Sequence, residues 1–329
     1  MSSVLIIRQS SLGDIVHALA VVQDIRQHRP EDSVDWVAEE MFADLVRLNR
    51  NVRTVVPVSL RRWRHAPFAR ATWREIAAFR TALRARRYDV VIDLQEQVKG
   101  ALIGLLARGA VHGSDRSGVR EPVVTLTYRR AYPIAPDQHL IDRCRQLVGK
   151  ALGYEPVGPP QFGLSAERSG APAAAVPDGA FMVFIHSTSQ EAKLWPEAHW
   201  RTLLRHFTED GTIVVLPSGN ADEMARGERL AQGIAGVRVD ARRNFSETAS
   251  LLAAADLVCG VDTGLIHLAA ALGTPTIALF LASDRKTCGA ARVGSNAVDI
   301  GGFGVVPSPN EVIAAARLMR RSAAPEGIR

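Results

Sequence analysis

Residues Ala255 to Phe280 read ADLVCGVDTGLIHLAAALGTPTIALF, which scans as a strand, a sharp polar turn, a short helix and a second strand. Leu257, Val258 and Cys259 form an apolar run of the kind shown by a strand buried on both faces, and Thr276 to Phe280 form another. Asp262 and Thr263 fall where the first strand ends and the helix begins, so backbone N–H groups there lack intrahelical partners and are free to bind an anion. Gly264 permits close approach to the backbone. His267, four residues after Thr263, shares its helical face. Two readings stay open: a phosphate site, or an ordinary α/β helix with Asp262 as its cap and His267 as a satisfied side chain.

Working outward, the same strand–helix alternation fills both halves of the chain. Val4 to Ile7 is a short apolar strand, and after the loop RQSSLG a helix carries apolar Ile15, Ala18, Leu19 and Val22, with Asp14 at its mouth. Strands near Val34–Val37, Thr54–Val58 and Val90–Asp93 alternate with helices near Met41–Leu48 and Trp73–Arg86. Such winding predicts a doubly wound parallel sheet, whose ligands bind outside the carboxyl ends of the strands, where Asp14 and Asp93 are expected. A helix over His139–Leu152 closes a first domain, 1–155. The Pro-, Ala- and Gly-rich stretch 156–178 reads as a linker. A second domain, 179–307, restarts with FMVFIH and ends after the focal cassette. The helix within 308–329 opens with a capping box, Ser308 and Glu311 around Pro309, and is expected to pack back on the first domain. Neither G-x-G-x-x-G nor a P-loop occurs.

A chain of 329 residues, 47% hydrophobic, supplies a core for each of two domains. No apolar run approaches the roughly 18 to 20 residues of a membrane span, and Met1 to Gln9 lacks a signal-peptide pattern, so the chain is expected in the cytoplasm. Cys144, Cys259 and Cys288 are too few and too scattered for a disulfide framework or a zinc site. The net charge of +6 is concentrated: residues 61–87 hold nine arginines and one acid, Glu75. That excess attracts a polyanion such as nucleic acid, anionic lipid or a phosphorylated glycolipid, unless it is simply a solvated helix face. A non-enzymatic polyanion- or membrane-surface-binding protein is therefore the rival class. It would show aromatic stacking residues throughout a basic face, whereas only Trp63, Phe68, Trp73, Phe79 and Tyr88 are interleaved and no RNA-binding motif appears.

Single side chains sharpen the chemistry. Asp14 follows Gly13, which allows a tight turn, and the helix dipole and nearby N–H groups would keep its carboxylate ionised, as a general base or as a plain cap. Lys193 stands in TSQEAKLWPEAHW, between a strand end and a helix start, where an ammonium can be solvated or can neutralise a diphosphate leaving group.

The strings QSSLGDIVHALA (Gln9–Ala20), HSTSQEAKLWPEAHW (His186–Trp200) and VDTGLIHLAAALGTPTIALF (Val261–Phe280), with RRWR (Arg61–Arg64) and VHGSD (Val111–Asp115), resemble glycosyltransferase family 9, the bacterial lipopolysaccharide heptosyltransferases. The resemblance covers nearly the whole chain. It implies a GT-B fold, two Rossmann-like domains facing across a cleft. It also implies an inverting, metal-independent transfer of L-glycero-D-manno-heptose from ADP-heptose to the inner Kdo of Kdo-lipid A, with transfer of a second or third heptose as the alternative. ADP-heptose would be a substrate and no cofactor would be required. The enzyme would work at the cytoplasmic face of the inner membrane, with neither nucleic acid nor an obligate protein partner. By the same resemblance Asp14 is the catalytic base and Lys193 a catalytic and donor-binding residue. Thr188, Ser189, Glu223 (at the ribose), Asp262, Thr263, Gly264 and His267 complete the donor set. Arg61, Arg62, Arg64 and Arg120 bind anionic groups of the acceptor, with His65, Asp93 and Gln95 as further candidates. The chain departs from the family pattern at Glu96, where glycine is expected, at Ser218, where tryptophan is expected, and at Leu281–Ser283, which replaces a Gly-Pro-Thr-like loop.

Overall fold

The structure, a computed structural model, describes residues 1–165 and 176–323. It divides into two compact units, Met1–Arg168 and Ser169–Arg329.

In the first unit β1 (Ser3–Ile7), β2 (Ser33–Glu39), β3 (Val52–Val58), β4 (Val90–Asp93), β5 (Ala110–Ser114) and β6 (Arg130–Tyr132) form one parallel sheet. Its order is β3-β2-β1-β4-β5-β6. The helices are α1 (Leu12–His28), α2 (Ala43–Arg47), α3 (Leu60–His65), α4 (Arg70–Arg84), α5 (Val98–Leu106) and α6 (Leu140–Leu152). Val4 to Ile7 are fully buried because β1 lies mid-sheet with helices on both faces. Leu5, Ile7, Val37, Val58, Phe79, Leu83 and Ile103 share one core cluster. Trp63, flanked by the arginines of RRWR, packs into the same cluster and donates its indole N–H to Glu75 at 2.8 Å.

The second unit repeats the plan with β7 (Phe181–Ile185), β8 (Ile213–Pro217), β9 (Val237–Asp240), β10 (Leu257–Val261), β11 (Thr276–Phe280) and β12 (Ala297–Gly301), ordered β12-β11-β10-β7-β8-β9 and all parallel. Its helices are α7 (Glu197–Thr208), α8 (Ala221–Ala231), α9 (Phe245–Ala254), α10 (Gly264–Ala271), α11 (Arg285–Cys288) and α12 (Pro309–Ala323). Counted from its own first strand, each sheet has the order 3-2-1-4-5-6. Strand order therefore reverses between β1 and β4 and between β7 and β10, and a crevice opens at the carboxyl ends there.

Two expectations change. Residues up to 165 pack on the first unit, because the buried Asn49 donates to the Phe162 carbonyl at 2.7 Å and bridges Leu164. The linker predicted over 156–178 thus loses its first part, and 166–175 lie outside the described residues. The last helix, expected on the first domain, packs on the second unit: Val312 and Ala316 are buried in its core with Trp195, Trp200 and Leu279. The strands β5, β6, β9 and β12, absent from the sequence reading, are short and carry glycine or polar residues that blur the strand signal.

Candidate functional site

In the first unit the loop after β1 enters α1 through a capping box. Ser11 is the cap and Asp14 the third helical residue, so Asp14 is one turn further in than a cap. Asp14 Oδ2 accepts from the Ser11 N–H at 2.9 Å and the Ser11 hydroxyl at 3.1 Å, and lies 3.1 Å from Arg8 Nη2. These contacts converge on one oxygen, and the side chain is 30% exposed. Burial pushes the Asp14 carboxyl up, but Arg8, the two Ser11 donors and Arg120 outweigh it and hold the group below its ordinary value.

Arg8 is buried and also donates to the Leu94 carbonyl at the end of β4. Gln95, on the same strand end, accepts from the Gln9 and Ser10 N–H groups at 2.8 and 3.2 Å. Lys99 Nζ donates to the Ser10 hydroxyl at 2.8 Å, and burial, then Arg8 and Arg61, depress its basicity. The loop after β4 therefore braces the loop that carries Asp14. Asp93 belongs to this brace: its carboxylate is buried and takes Gln95 N–H at 2.9 Å, Glu96 N–H at 3.2 Å and the Tyr128 hydroxyl at 2.9 Å. Burial pushes it up to about 6 against those three hydrogen bonds. A Cβ at Gly100 would stand 2.7 Å from Asp93 Oδ1, so only glycine lets α5 approach this closely.

Glu96 has φ +54°, the left-handed region, which is the physical reason for a glycine preference at this position. Here its carboxylate is tied to the Ser114 hydroxyl and to Arg143 at 2.8 Å. Arg61 donates its backbone N–H to Glu39 at 2.9 Å and lays its guanidinium over the Phe42 ring at 5.7 Å, and Arg120 is exposed; their charges reach Lys99 and Asp14 through space. Arg62 has other partners, Glu40 and Glu75, each at 2.9 Å. Arg64 and His65 are exposed on α3.

In the second unit the carboxyl ends of β7 and β10 carry the donor candidates. Asp262, buried just past β10, is a hub: its Oδ2 accepts from Lys193 Nζ and from the Ser283 hydroxyl, both at 2.6 Å, and its Oδ1 meets His267 Nε2 at 3.2 Å. Burial would raise this carboxyl, but His267, Lys193 and Ser283 hold it well below the usual carboxylate range. Thr263 is the cap residue of α10 with no side-chain cap bond; the Ile266 N–H turns back to the Thr263 carbonyl at 3.1 Å, and the N–H groups of Gly264 and Leu265 open the helix ahead of it.

Lys193 is held in position by the anchored indole two residues beyond it. Trp195 is fully buried, stands 4.9 Å from Trp200 ring to ring, and donates its indole N–H to the Pro307 carbonyl at 2.9 Å. Thr188 and Ser189 lie on the loop after β7, half-buried and exposed. Glu223 folds back on its own helix start, accepting from Gly219 N–H at 2.6 Å and Asn220 Nδ2 at 3.1 Å. The Ser218 hydroxyl is buried without a partner among the described residues.

The structure thus gathers Asp262, Lys193 and His267 in one unit, and in the other Asp14 with Arg8, leaving Arg61 and Arg120 at longer range. It adds three residues that sequence reasoning passed over. Arg8 and Lys99 look like ordinary loop cations until β1 and β4 are known to be neighbours, and Ser283 returns the 281–283 loop to the Asp262 site. Among the described residues no three His, Cys, Asp or Glu side chains gather as metal ligands. No described helix is long and apolar enough to cross a membrane.

Two Rossmann-like parallel sheets in one chain, each with charged residues collected at its switch point, match the GT-B architecture, a class of fold shared by many glycosyltransferases. Residues 76–305 match the family model of Glycosyltransferase family 9 (heptosyltransferase), and the chain belongs to that family. Lipopolysaccharide heptosyltransferase 1 of Escherichia coli (strain K12) is 41% identical over 284 residues, covering 85% of this chain and 88% of its own. The solved structure of E. coli heptosyltransferase WaaC with ADP superposes with a TM-score of 0.89 at 38% identity, over 96% of this chain and 99% of that one. WaaC with ADP-2-deoxy-2-fluoro heptose gives 0.84 at 37% identity, over 98% and 100%.

Proposed function

We propose that this chain transfers L-glycero-D-manno-heptose from ADP-heptose to the inner Kdo of Kdo-lipid A, with inversion, in building the lipopolysaccharide inner core. The observation that carries the reading is the Asp262–Lys193 pair at 2.6 Å beside the start of α10, which has no side-chain cap, in a chain 41% identical to heptosyltransferase 1. A buried carboxylate holds the ammonium where a diphosphate would meet a helix N-terminus. Lys193 neutralises the departing ADP, the Thr263 and Gly264 backbone binds phosphate, and Thr188, Ser189 and His267 add hydrogen bonds. Glu223 takes the ribose hydroxyls.

On the acceptor side Arg61, Arg64 and Arg120 bind anionic groups, with Arg62 drawn in only if it leaves Glu40 or Glu75. The acceptor hydroxyl gives its proton to Asp14 as its oxygen attacks the anomeric carbon. The bond from that carbon to the diphosphate oxygen breaks, and its electron pair leaves with ADP. Cationic side chains perform the charge neutralisation, with no metal ion. The enzyme is cytoplasmic and peripheral to the inner membrane, where its acceptor lies. The test is ADP release with ADP-heptose and defined acceptors. Transfer to Kdo-lipid A is expected; transfer only to an acceptor already carrying one heptose would replace this reading by the second-heptose alternative.

A further inference from the structure

In a doubly wound unit the helices turn apolar faces to the sheet and polar faces to water. Helix α5 does the first and not the second. Ala101, Ile103 and Gly104 are buried, but Val98, Leu102, Leu105 and Leu106, spaced i, i+4, i+7 and i+8, point outward, with Leu102 56% and Leu105 57% exposed. The neighbouring turn, Pro122–Thr127, packs on α5 through Val124 and Ala101 and extends the face with Val123 and an 82% exposed Leu126. The far end of α5 is framed by cations: Arg84 donates to the Leu106 carbonyl at 3.1 Å, and Arg108 donates to the Arg84 carbonyl at 3.5 Å. Arg84 ends α4, within the segment that holds nine arginines and one acid.

We infer that the outward face of α5 and the 122–127 turn is a docking surface for an anionic lipid bilayer. Aliphatic side chains at helical spacing beside arginines that outnumber acids suit a surface with hydrocarbon below and phosphate at its plane. A solvated helix face accounts for the arginines and not for the leucines, and an apolar protein partner accounts for the leucines and not for the arginine excess, of which Arg62 and Arg86 meet carboxylates. The first turn of the same helix carries Lys99, bonded to Ser10 in the loop before Asp14. Docking through α5 therefore sets the proposed base at the end of a membrane-seated helix. The inference rests on the lipid-linked acceptor proposed above and names the surface that meets its membrane.

The test is flotation of the full chain with vesicles of phosphatidylglycerol and phosphatidylethanolamine, and with vesicles of phosphatidylcholine alone. Binding to the first and salt-weakened, much poorer binding to the second is expected. Leu102→Glu with Leu105→Glu should lower vesicle binding at least about tenfold, with an unchanged melting temperature and unchanged transfer to a de-acylated, water-soluble acceptor. If the double variant melts early, Leu126→Glu on the turn gives the same readout. Vesicle binding by the variants within twofold of the parent would overturn the surface, as would failure of the parent to bind or equal binding to neutral vesicles. A dimer in sedimentation that the same variants dissociate would overturn it in favour of a second copy of the chain. Vesicle binding without heptose transfer would instead sink the proposed function and leave the surface standing.

Discussion

At Asp14 the hydrogen bonds and the Arg8 contact fall on Oδ2, so the helix start fixes one carboxylate oxygen, and the proposed proton transfer falls to the other. Capping and catalysis are then not rival roles, because one group can hold its turn and take a proton. In the proposed mechanism Arg8 helps set the pH at which it does so. With Arg8 present the carboxyl stays below its ordinary value and is ionised, hence competent as a base, down to low pH. Arg8→Gln removes the cation, and the carboxyl rises, so activity should fall off at a higher pH than in the parent. A pH profile of kcat whose acid limb does not move would separate Arg8 from the base. In the second unit, Lys193→Ala takes a charge-assisted hydrogen bond from Asp262 and a cation from the proposed diphosphate site. Such bonds contribute about 1.5–3 kcal/mol, so ADP affinity should drop roughly tenfold to a hundredfold by calorimetry. Unchanged affinity and turnover would remove Lys193 from the donor set. The Asp262 carboxyl, held low, adds stability that is present above its unfolded value of about 3.9 and is lost as pH falls toward the folded one.

Among the elements, the two loops at the β1/β4 switch point act as one piece. Gln95 takes two N–H groups of the loop that leads to Asp14, and Gln95→Ala would leave both buried donors unpaired, at a cost of about 1–3 kcal/mol. The expected result is a kcat that falls while the KM for ADP-heptose holds, since the donor candidates lie in the other unit; equal kcat in parent and variant would show that the brace is dispensable. None of this was legible in the chain. The strand–helix alternation was, because period and length of apolar runs mark buried strands, and so were the strand ends at Asp93 and Asp262. Which strand lies beside which is a tertiary fact, and Gln95, Arg8 and Lys99 gain their meaning only from it. The last helix teaches the same thing: its apolar stripe of Val312, Ala315, Ala316 and Met319 could be read, but its destination could not. Glu96 could be read as a departure from an expected glycine, but what the departure does to the backbone could not. The backbone keeps the left-handed turn, and Arg143 and Ser114 take up the carboxylate.

Over the whole molecule the same sheet order occurs twice, and chemistry is divided between the copies: the proposed donor ligands lie in the second unit and the proposed base in the first. A change confined to Asp14 should therefore leave nucleotide binding intact while stopping transfer. Asp14→Asn keeps the shape and an oxygen that accepts the Ser11 N–H, and loses the basicity. The decisive measurement is kcat for heptose transfer by this variant, taken beside its ADP affinity by calorimetry. The account predicts near-normal ADP binding and a kcat lowered about 10²- to 10⁴-fold, the range for a lost general base. Retention of more than about a third of the parent kcat would contradict it and leave Asp14 as a capping residue alone.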